Sequence, residues 1–200
     1  MLTNTTGVIL AGGKSSRMKG TDKGLIDIAG NPLVTYAIRR MEPQVSTILI
    51  SANRNSAKYE KYGYTIIKDT TGESHGPLSG LLSAMQHADT EYILTAPCDS
   101  PFLPEDYAQR MFTALDNDNK ICVAREENLI QPVFTLVSCS FAPSLQDYLE
   151  RGHRKMAAWI LEQEPSTVDF ANCKNMFFNM NTPEDKLQLE RMILNPDHVN

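Results

Sequence analysis

The feature that most constrains the fold is an alternation of short apolar runs with segments of helical period. The first run, residues 7–10, ends at two glycines, and Leu33, Ala37, Ile38 and Met41 then recur at helical spacing, up to about Glu42. Such an alternation is typical of β-α units that are built on a mostly parallel sheet. The sequence therefore predicts an α/β fold.

The same pattern continues along the chain. Further strands are predicted at residues 47–51, 65–68, 92–95, 121–124, 133–137 and 167–170, and further helices at residues 57–62, 77–88, 104–115, 141–150, 155–161 and 183–194. Residues 92–95 are apolar on both faces, which favours a central strand. Residues 116–119 form a predicted polar turn.

Bulk properties narrow the class of protein. A chain of 200 residues with 42% apolar content is expected to form a single domain, residues 1–200. A net charge of -5 argues against a nucleic-acid binder, which needs many cations for phosphate contacts. The apolar runs are too short to span a bilayer, and the N-terminus lacks a basic segment followed by an apolar one. We therefore expect no membrane association and a cytoplasmic location.

A glycine-rich segment with four cations follows the first strand. It contains Gly12 and Gly13, the cations Lys14, Arg17, Lys19 and Lys23, and one acid, Asp22. Glycines let backbone N–H groups turn toward a phosphate, and cations neutralise the remaining charge. The spacing fits neither the dinucleotide-binding motif nor the Walker A motif. The segment predicts a polyphosphate site of another kind.

This segment, LAGGKSSRMKGTDKGL, resembles the signature L-A-G-G-x-x-x-R-M-G-x-D-K of the MobA family of molybdenum cofactor guanylyltransferases. Further matching segments follow in family order: ANR, Asp69, GPLSGLLSAMQ, PCDSP and NMNTPED. The resemblance spans nearly the whole chain. It implies a three-layer, Rossmann-like nucleotidyltransferase fold of the glycosyltransferase-A type, with GTP across the carboxyl ends of the strands. Lys19 stands where the family usually has glycine, and Ser51 where some members have asparagine.

The resemblance also implies roles for particular residues. The nucleotide-binding candidates are Leu10, Ala11, Gly12, Lys23, Ser51, Asp69, Gly76, Gly80 and Asp99. Lys23 and Arg17 would hold the phosphates, and Gly76 and Gly80 would lie against the guanine base. For Gly80, close packing of a helix on the sheet is an equally good interpretation.

Asp99 is the predicted metal ligand. It follows an apolar strand, where open α/β sheets place ligand-binding groups. Mg²⁺ usually takes one or two protein carboxylates and completes its shell with water and phosphate oxygens. A turn aspartate before Pro101 is the alternative interpretation. The family assigns its aspartate at this position to magnesium, so Mg²⁺ is the expected cofactor and Lys23, Arg17 and Asp99 are the catalytic candidates.

The acceptor side is predicted from the second half of the chain. Asn179 and Asn181 alternate on one face of a predicted short strand, and amides suit the mixed donors and acceptors of a pterin. Thr182 can cap the helix that Pro183 begins. Arg154 and Lys155 resemble a basic pair in the family and could hold the acceptor's phosphate, although solvated helix charges explain either residue alone.

The resemblance implies transfer of GMP from GTP to the terminal phosphate of molybdopterin, with transient contacts to cofactor-biosynthesis proteins or acceptor apoenzymes. Two alternatives remain. A related nucleotidyltransferase would use CTP or a sugar 1-phosphate acceptor, and a noncatalytic module would bind GTP without releasing pyrophosphate.

Overall fold

The computed structural model describes residues 1–11, 22–69, 76–115 and 120–195. Its strands are β1 (Leu2–Leu10), β2 (Asp27–Ile28), β3 (Asn31–Pro32), β4 (Val45–Ser51), β5 (Thr65–Ile67), β6 (Tyr92–Pro97), β7 (Ile121–Glu126), β8 (Leu129–Ser138) and β9 (Ser166–Asp169). Its α-helices are α1 (Leu33–Met41), α2 (Ser56–Tyr59), α3 (Pro77–His87), α4 (Tyr107–Thr113), α5 (Ala142–Glu150), α6 (Met156–Glu162) and α7 (Pro183–Leu194).

Seven of these strands form one mixed sheet in the order β5-β4-β1-β6-β8-β7-β9. The pairs β1–β4, β1–β6, β4–β5 and β7–β9 are parallel, whereas β8 runs antiparallel to both β6 and β7. The prediction of a mostly parallel sheet is confirmed. The hairpin of β7 and β8 was not predicted. Parallel pairing was inferred from strands that alternate with helices, and that pattern does not show where two strands are joined directly by a short turn.

The sheet lies between two apolar layers. Consecutive strand residues point to opposite faces, so Ile9 joins one buried cluster while Val8 and Leu10 join the other. Helices α1 and α4 contribute to the first cluster, and α3, α5 and α6 contribute to the second. The predicted helical face of residues 77–88 is buried as expected at Leu78, Leu81, Leu82 and Met85. The molecule therefore has the three layers that the family resemblance implied.

Helix α4 begins three residues later than predicted. The side chain of Gln44 donates to the carbonyl of Pro104 at 2.8 Å and accepts from the N–H of Ala108 at 2.9 Å. These two bonds give the backbone around residue 104 partners outside the helix, so the helix begins at Tyr107. These bonds to Gln44 depend on the tertiary structure, so the local sequence does not reveal them.

A close approach joins α3 to the sheet at Gly80. A Cβ atom at Gly80 would lie 2.4 Å from Ser51 Oγ and 3.3 Å from Leu10 Cδ2. Ser51 itself is buried. The observed contact is therefore the helix–sheet packing that was one of the two interpretations of Gly80, and its contact with a guanine base remains a prediction.

We expect Gly80→Ala to destabilise the protein by about 1–3 kcal/mol, because overpacking at this contact forces α3 or β4 to shift. Urea unfolding measures the change. The matched control is Ser83→Ala in the same helix, since the buried hydroxyl of Ser83 has no hydrogen-bond partner among the described residues. Equal stability of Gly80→Ala and the wild type would contradict the packing role.

Among the described residues, no helix is both long enough and apolar enough to cross a membrane. The predicted turn at residues 116–119 lies outside the described residues.

Candidate active site

Several predicted site residues lie together at the carboxyl edge of the parallel strands. Leu10 pairs with Ser51 on one side and with Pro97 on the other. Just beyond, Ala11 donates its N–H to the carbonyl of Ser51 at 2.8 Å, and Cys98 donates to the carbonyl of Leu10 at 3.1 Å. These bonds continue the sheet past the strand ends. They join Leu10 to Cys98, the residue that directly precedes Asp99.

The centre of the site is Lys23. Its Nζ atom lies 3.2 Å from Asp99 Oδ2 and donates to Asn181 Oδ1 at 2.7 Å. The Lys23 side chain is 20% exposed and that of Asp99 is 10% exposed, so this is a largely buried ion pair. Lys23 and Asn181 are 158 positions apart in sequence. The fold thus joins a predicted phosphate ligand, the predicted metal ligand and a predicted acceptor residue.

Asn181 is held in place by the start of α7. Asp185 Oδ2 accepts from the backbone N–H groups of Asn181 and Thr182, both at 2.8 Å. The hydroxyl of Thr182 accepts in return from the N–H of Asp185 at 3.1 Å, which completes a capping box. The predicted capping role of Thr182 is confirmed. Through Asp185, the helix start determines where the Asn181 amide lies.

The hydrogen bond from the N–H of Asn181, with those of Thr182 and the nearby Lys23 charge, lowers the pKa of Asp185. A lowered pKa in the folded state means that these bonds stabilise the fold at pH values above the ordinary carboxylate pKa. That contribution is lost as the pH falls through the lowered value. At neutral pH the carboxylate is ionised and the capping box is intact.

The predicted short strand around Asn179 and Asn181 is wrong. Residues 178–181 form no strand, because their backbone groups bond to nearby side chains and turns instead of a neighbouring strand. The alternation itself is present: Asn179 is exposed, Met180 is fully buried, and Asn181 is half-buried. The Nδ2 atom of Asn179 donates to the carbonyl of Phe177 at 3.1 Å.

Asp69 lies after β5 and forms a two-bond bridge to Asn53. Asn53 Nδ2 donates to Asp69 Oδ2 at 2.7 Å, and the N–H of Asp69 donates to Asn53 Oδ1 at 2.8 Å. The bridge ties the segment after β4 to the segment after β5. Asn53 was not predicted as a site residue, although it belongs to the ANR segment that carries the family resemblance.

Arg154 and Lys155 have structural contacts at the junction of α5 and α6. The Arg154 guanidinium donates to the carbonyls of Leu149 and His153, at 2.7 and 2.6 Å. A cation at the C-terminal end of a helix satisfies the last carbonyls of that helix. Lys155 is exposed and precedes α6. These contacts give Arg154 a structural role at the end of α5, and the acceptor role of the pair remains a prediction.

Two candidates, Gly12 and Arg17, lie outside the described residues. Gly76 is the N-cap residue directly before α3, with φ 79° and ψ -157°, a conformation that is strained for residues with a Cβ atom. The backbone geometry therefore explains why residue 76 is a glycine. The contact of Gly76 with the nucleotide remains a prediction.

The cysteine nearest Asp99 is a buried thiol, and the described residues include no protein-only metal cage. Burial raises the pKa of the Cys98 thiol well above its ordinary value, which keeps it protonated. No group of three or more His, Cys, Asp or Glu side chains among the described residues could hold a metal ion. What this site shows directly is one ammonium group, that of Lys23, paired with the carboxylate of Asp99 and hydrogen-bonded to Asn181.

The fold and this site define an α/β protein whose clustered polar residues lie at the carboxyl edge of its parallel strands, where such proteins bind ligands. A family model described as the MobA-like NTP transferase domain matches residues 7–166. The chain belongs to the MobA-like NTP transferase family, and it is a nucleotidyltransferase.

Comparison with individual proteins supports the same family. The molybdenum cofactor guanylyltransferase of Shewanella sediminis is 41% identical over 187 residues, which cover 93% of this chain and 95% of that protein. The crystal structure of molybdopterin-guanine dinucleotide biosynthesis protein A from Archaeoglobus fulgidus superposes with a TM-score of 0.80 at 18% identity, covering 96% of this chain and 99% of that one.

A third protein shares the fold. The structure of 4-diphosphocytidyl-2C-methyl-D-erythritol synthase from Anaerococcus prevotii superposes with a TM-score of 0.73 at 14% identity, covering 96% of both chains. The fold is thus common to proteins with different names, and it does not by itself select a nucleotide.

Proposed function

We propose that this protein transfers GMP from GTP to the terminal phosphate of molybdopterin and releases pyrophosphate. The observation that carries the proposal is the placement of Lys23 between Asp99 and Asn181. One cation thereby connects the predicted phosphate and metal residues with a predicted acceptor residue. The similarity to a named molybdenum cofactor guanylyltransferase over nearly the whole chain supports guanylyl transfer to this acceptor.

In the proposed reaction, a terminal phosphate oxygen of the acceptor attacks the α-phosphorus of GTP. The bond from that phosphorus to the oxygen bridging the α and β phosphates breaks, and pyrophosphate leaves with the electron pair. The attacking phosphate has a second pKa of about 6 and is already an anion at neutral pH. No general base is required, which agrees with a site that offers Lys23, Asp99 and Asn181.

Lys23 would neutralise charge on the triphosphate, and its hydrogen bond to Asn181 keeps the ammonium group directed into the site. The contribution of Arg17 remains a prediction from the family resemblance. With several cationic groups directed at one triphosphate, catalysis would rest on positioning and charge neutralisation.

Asp99 fits a divalent cation, and we propose Mg²⁺. Its carboxylate is largely buried and already stabilises one positive charge, that of the Lys23 ammonium. A single protein carboxylate suits Mg²⁺, which keeps water and phosphate oxygens as its other ligands. When bound, Mg²⁺ would supply positive charge to the phosphate oxygens.

We propose a single domain with a nucleotide-binding N-terminal part and an acceptor-binding C-terminal part. The contact of Lys23 with Asn181 supports this organisation, because it joins the two parts directly. Contacts with cofactor-biosynthesis proteins or acceptor apoenzymes belong to the same proposal.

Nucleotide selection tests the proposal directly. With Mg²⁺ present, we expect GTP to raise the melting temperature more than CTP, ATP or UTP. A ligand at about 100 times its dissociation constant stabilises the folded state by about 2.7 kcal/mol. For a chain of this size, that corresponds to a shift of about 5–10 °C. A larger shift with CTP would favour the cytidylyl alternative.

Pyrophosphate release distinguishes an enzyme from a binding module. We expect release from GTP and molybdopterin together, and none from either substrate alone. A clear thermal shift with GTP but no pyrophosphate with both substrates would support the noncatalytic module.

A further inference from the structure

Asp22, the one acid in the cationic segment, faces the protein interior. It is only 9% exposed, and both of its carboxylate oxygens accept hydrogen bonds. The hydroxyl of Tyr59 donates to Oδ1 at 2.5 Å, and Asn55 Nδ2 donates to Oδ2 at 3.1 Å. In the sequence, Asp22 is one negative charge among the four positive charges of this segment. In the fold it instead anchors the chain directly before Lys23.

The two donors come from the segment that contains α2. Tyr59 is fully buried, and burial together with the neighbouring Cys98 and Asp22 raises its pKa well above the ordinary value. Its hydroxyl therefore stays protonated and remains a donor. Asn55 precedes α2 with φ 54°, in the left-handed region that asparagine tolerates better than most residues. The Asn55 side chain bonds to Asp22 and forms no capping bond to α2.

The residue on the other side of Lys23 is also pressed against Tyr59. A Cβ atom at Gly24 would lie 2.5 Å from Tyr59 Oη and 3.2 Å from Cys98 Sγ. The N–H of Leu25 donates to the carbonyl of Asp22 at 3.1 Å, which closes a tight turn over Lys23–Leu25. Lys23 is thus the only residue of the Asp22–Gly24 triplet that is not buried, and Tyr59 bonds to Asp22 on one side of it and lies close to Gly24 on the other.

We propose that Tyr59, together with Asn55, is a positioning residue for nucleotidyl transfer: it binds Asp22 and so holds the Lys23 ammonium at Asp99 and Asn181. This inference rests on the proposed function. Without the Tyr59 hydroxyl, the Asp22 carboxylate loses its shortest hydrogen bond and the turn over Lys23–Leu25 can shift. Misplacement of a charge-neutralising group by about 1 Å can cost up to about 100-fold in rate.

The test is a double-mutant cycle with Tyr59→Phe and Lys23→Met. We expect Tyr59→Phe alone to lower kcat/KM for GTP by about 10- to 100-fold. In the Lys23→Met background, the same substitution should change kcat/KM by less than about 2-fold, because Tyr59 acts through Lys23. A merely structural role would lower activity by the same factor in both backgrounds, and that result would overturn the proposal.

Tyr64→Phe is the matched control. Tyr64 also donates its hydroxyl to a carboxylate, that of Glu42 at 2.7 Å, but its partner is not next to Lys23. We expect wild-type kcat/KM for Tyr64→Phe. Wild-type activity of Tyr59→Phe as well would overturn the proposal.

A second variant avoids any folding defect caused by the buried tyrosine. Asn55→Gly keeps a residue that accepts the left-handed backbone and removes the side chain whose amide bonds to Asp22. We expect the same direction of change, with a smaller effect that also disappears in the Lys23→Met background. A fold-change that is equal in both backgrounds would count against the positioning role.

GTP binding separates this inference from the proposed function. If the wild type releases no pyrophosphate, the proposed function fails, but the thermal shift caused by GTP still reports on Lys23. A smaller shift for Tyr59→Phe than for the wild type, with no further loss in the Lys23→Met background, would then support the positioning role. Equal shifts for Tyr59→Phe and the wild type would refute it.

Discussion

Replacing Asp99 by alanine is expected to lower the rate of pyrophosphate release from GTP and molybdopterin by about 100- to 1,000-fold. The substitution removes the only carboxylate that contacts Lys23 through an ion pair among the described residues. It thereby removes the proposed ligand of the divalent cation. Asn181 remains as a hydrogen-bond acceptor for Lys23, so we expect the fold to persist.

Asp99→Asn tests the charge of this side chain separately from its size. The amide keeps the size of the side chain and an oxygen that can accept from Lys23, but it loses the negative charge that holds a cation. We expect the same loss of turnover as for Asp99→Ala. The control is Asp147→Ala, which breaks an exposed ion pair with Arg151. Near-normal turnover by Asp99→Asn would refute the metal assignment.

Replacing Lys23 by methionine is expected to lower kcat/KM for GTP by about 100- to 1,000-fold. Methionine keeps an apolar chain of similar length, so the change removes mainly the charge that would neutralise the triphosphate. We also expect a smaller thermal shift with GTP. Because the substitution leaves Asp99 without its cation, some loss of stability is expected too, and urea unfolding measures that loss separately.

Lys120→Ala is the control for Lys23. Lys120 also pairs with a carboxylate, that of Glu91 at 3.4 Å, but both side chains are well exposed. Exposed ion pairs contribute little, so activity and stability should stay close to those of the wild type. If Lys23→Met retained the wild-type GTP shift and turnover, the central role of this lysine would be refuted.

Local chemistry explains which elements the sequence predicted well. Helix α7 has the predicted bounds of residues 183–194, because Thr182 and Pro183 form a start signal within the sequence itself. Helix α1 matches to within one residue for a different local reason, since its buried apolar residues recur at helical spacing. In contrast, the start of α4 depends on Gln44, which lies 60 positions before Pro104.

The site was predicted in its components but not in its connections. Lys23, Asp99 and Asn181 were each assigned a separate role, whereas the fold joins all three through one ammonium group. The inward-facing Asp22 and its donor Tyr59 were missed as a pair. A charge pattern does not reveal which member of a polar segment is buried, since that depends on the chain packed against it.

The sequence by itself determined the α/β class, most helices and strands and the family, and it predicted individual residues for phosphate and cation binding. These properties depend on local periodicity, capping and short motifs. The tertiary structure alone decided the antiparallel placement of β8, the packing of Gly80 on Ser51, and the meeting of Lys23 with Asp99 and Asn181. Such contacts join residues that are distant along the chain, so they exist only once strand order and burial have brought those residues together.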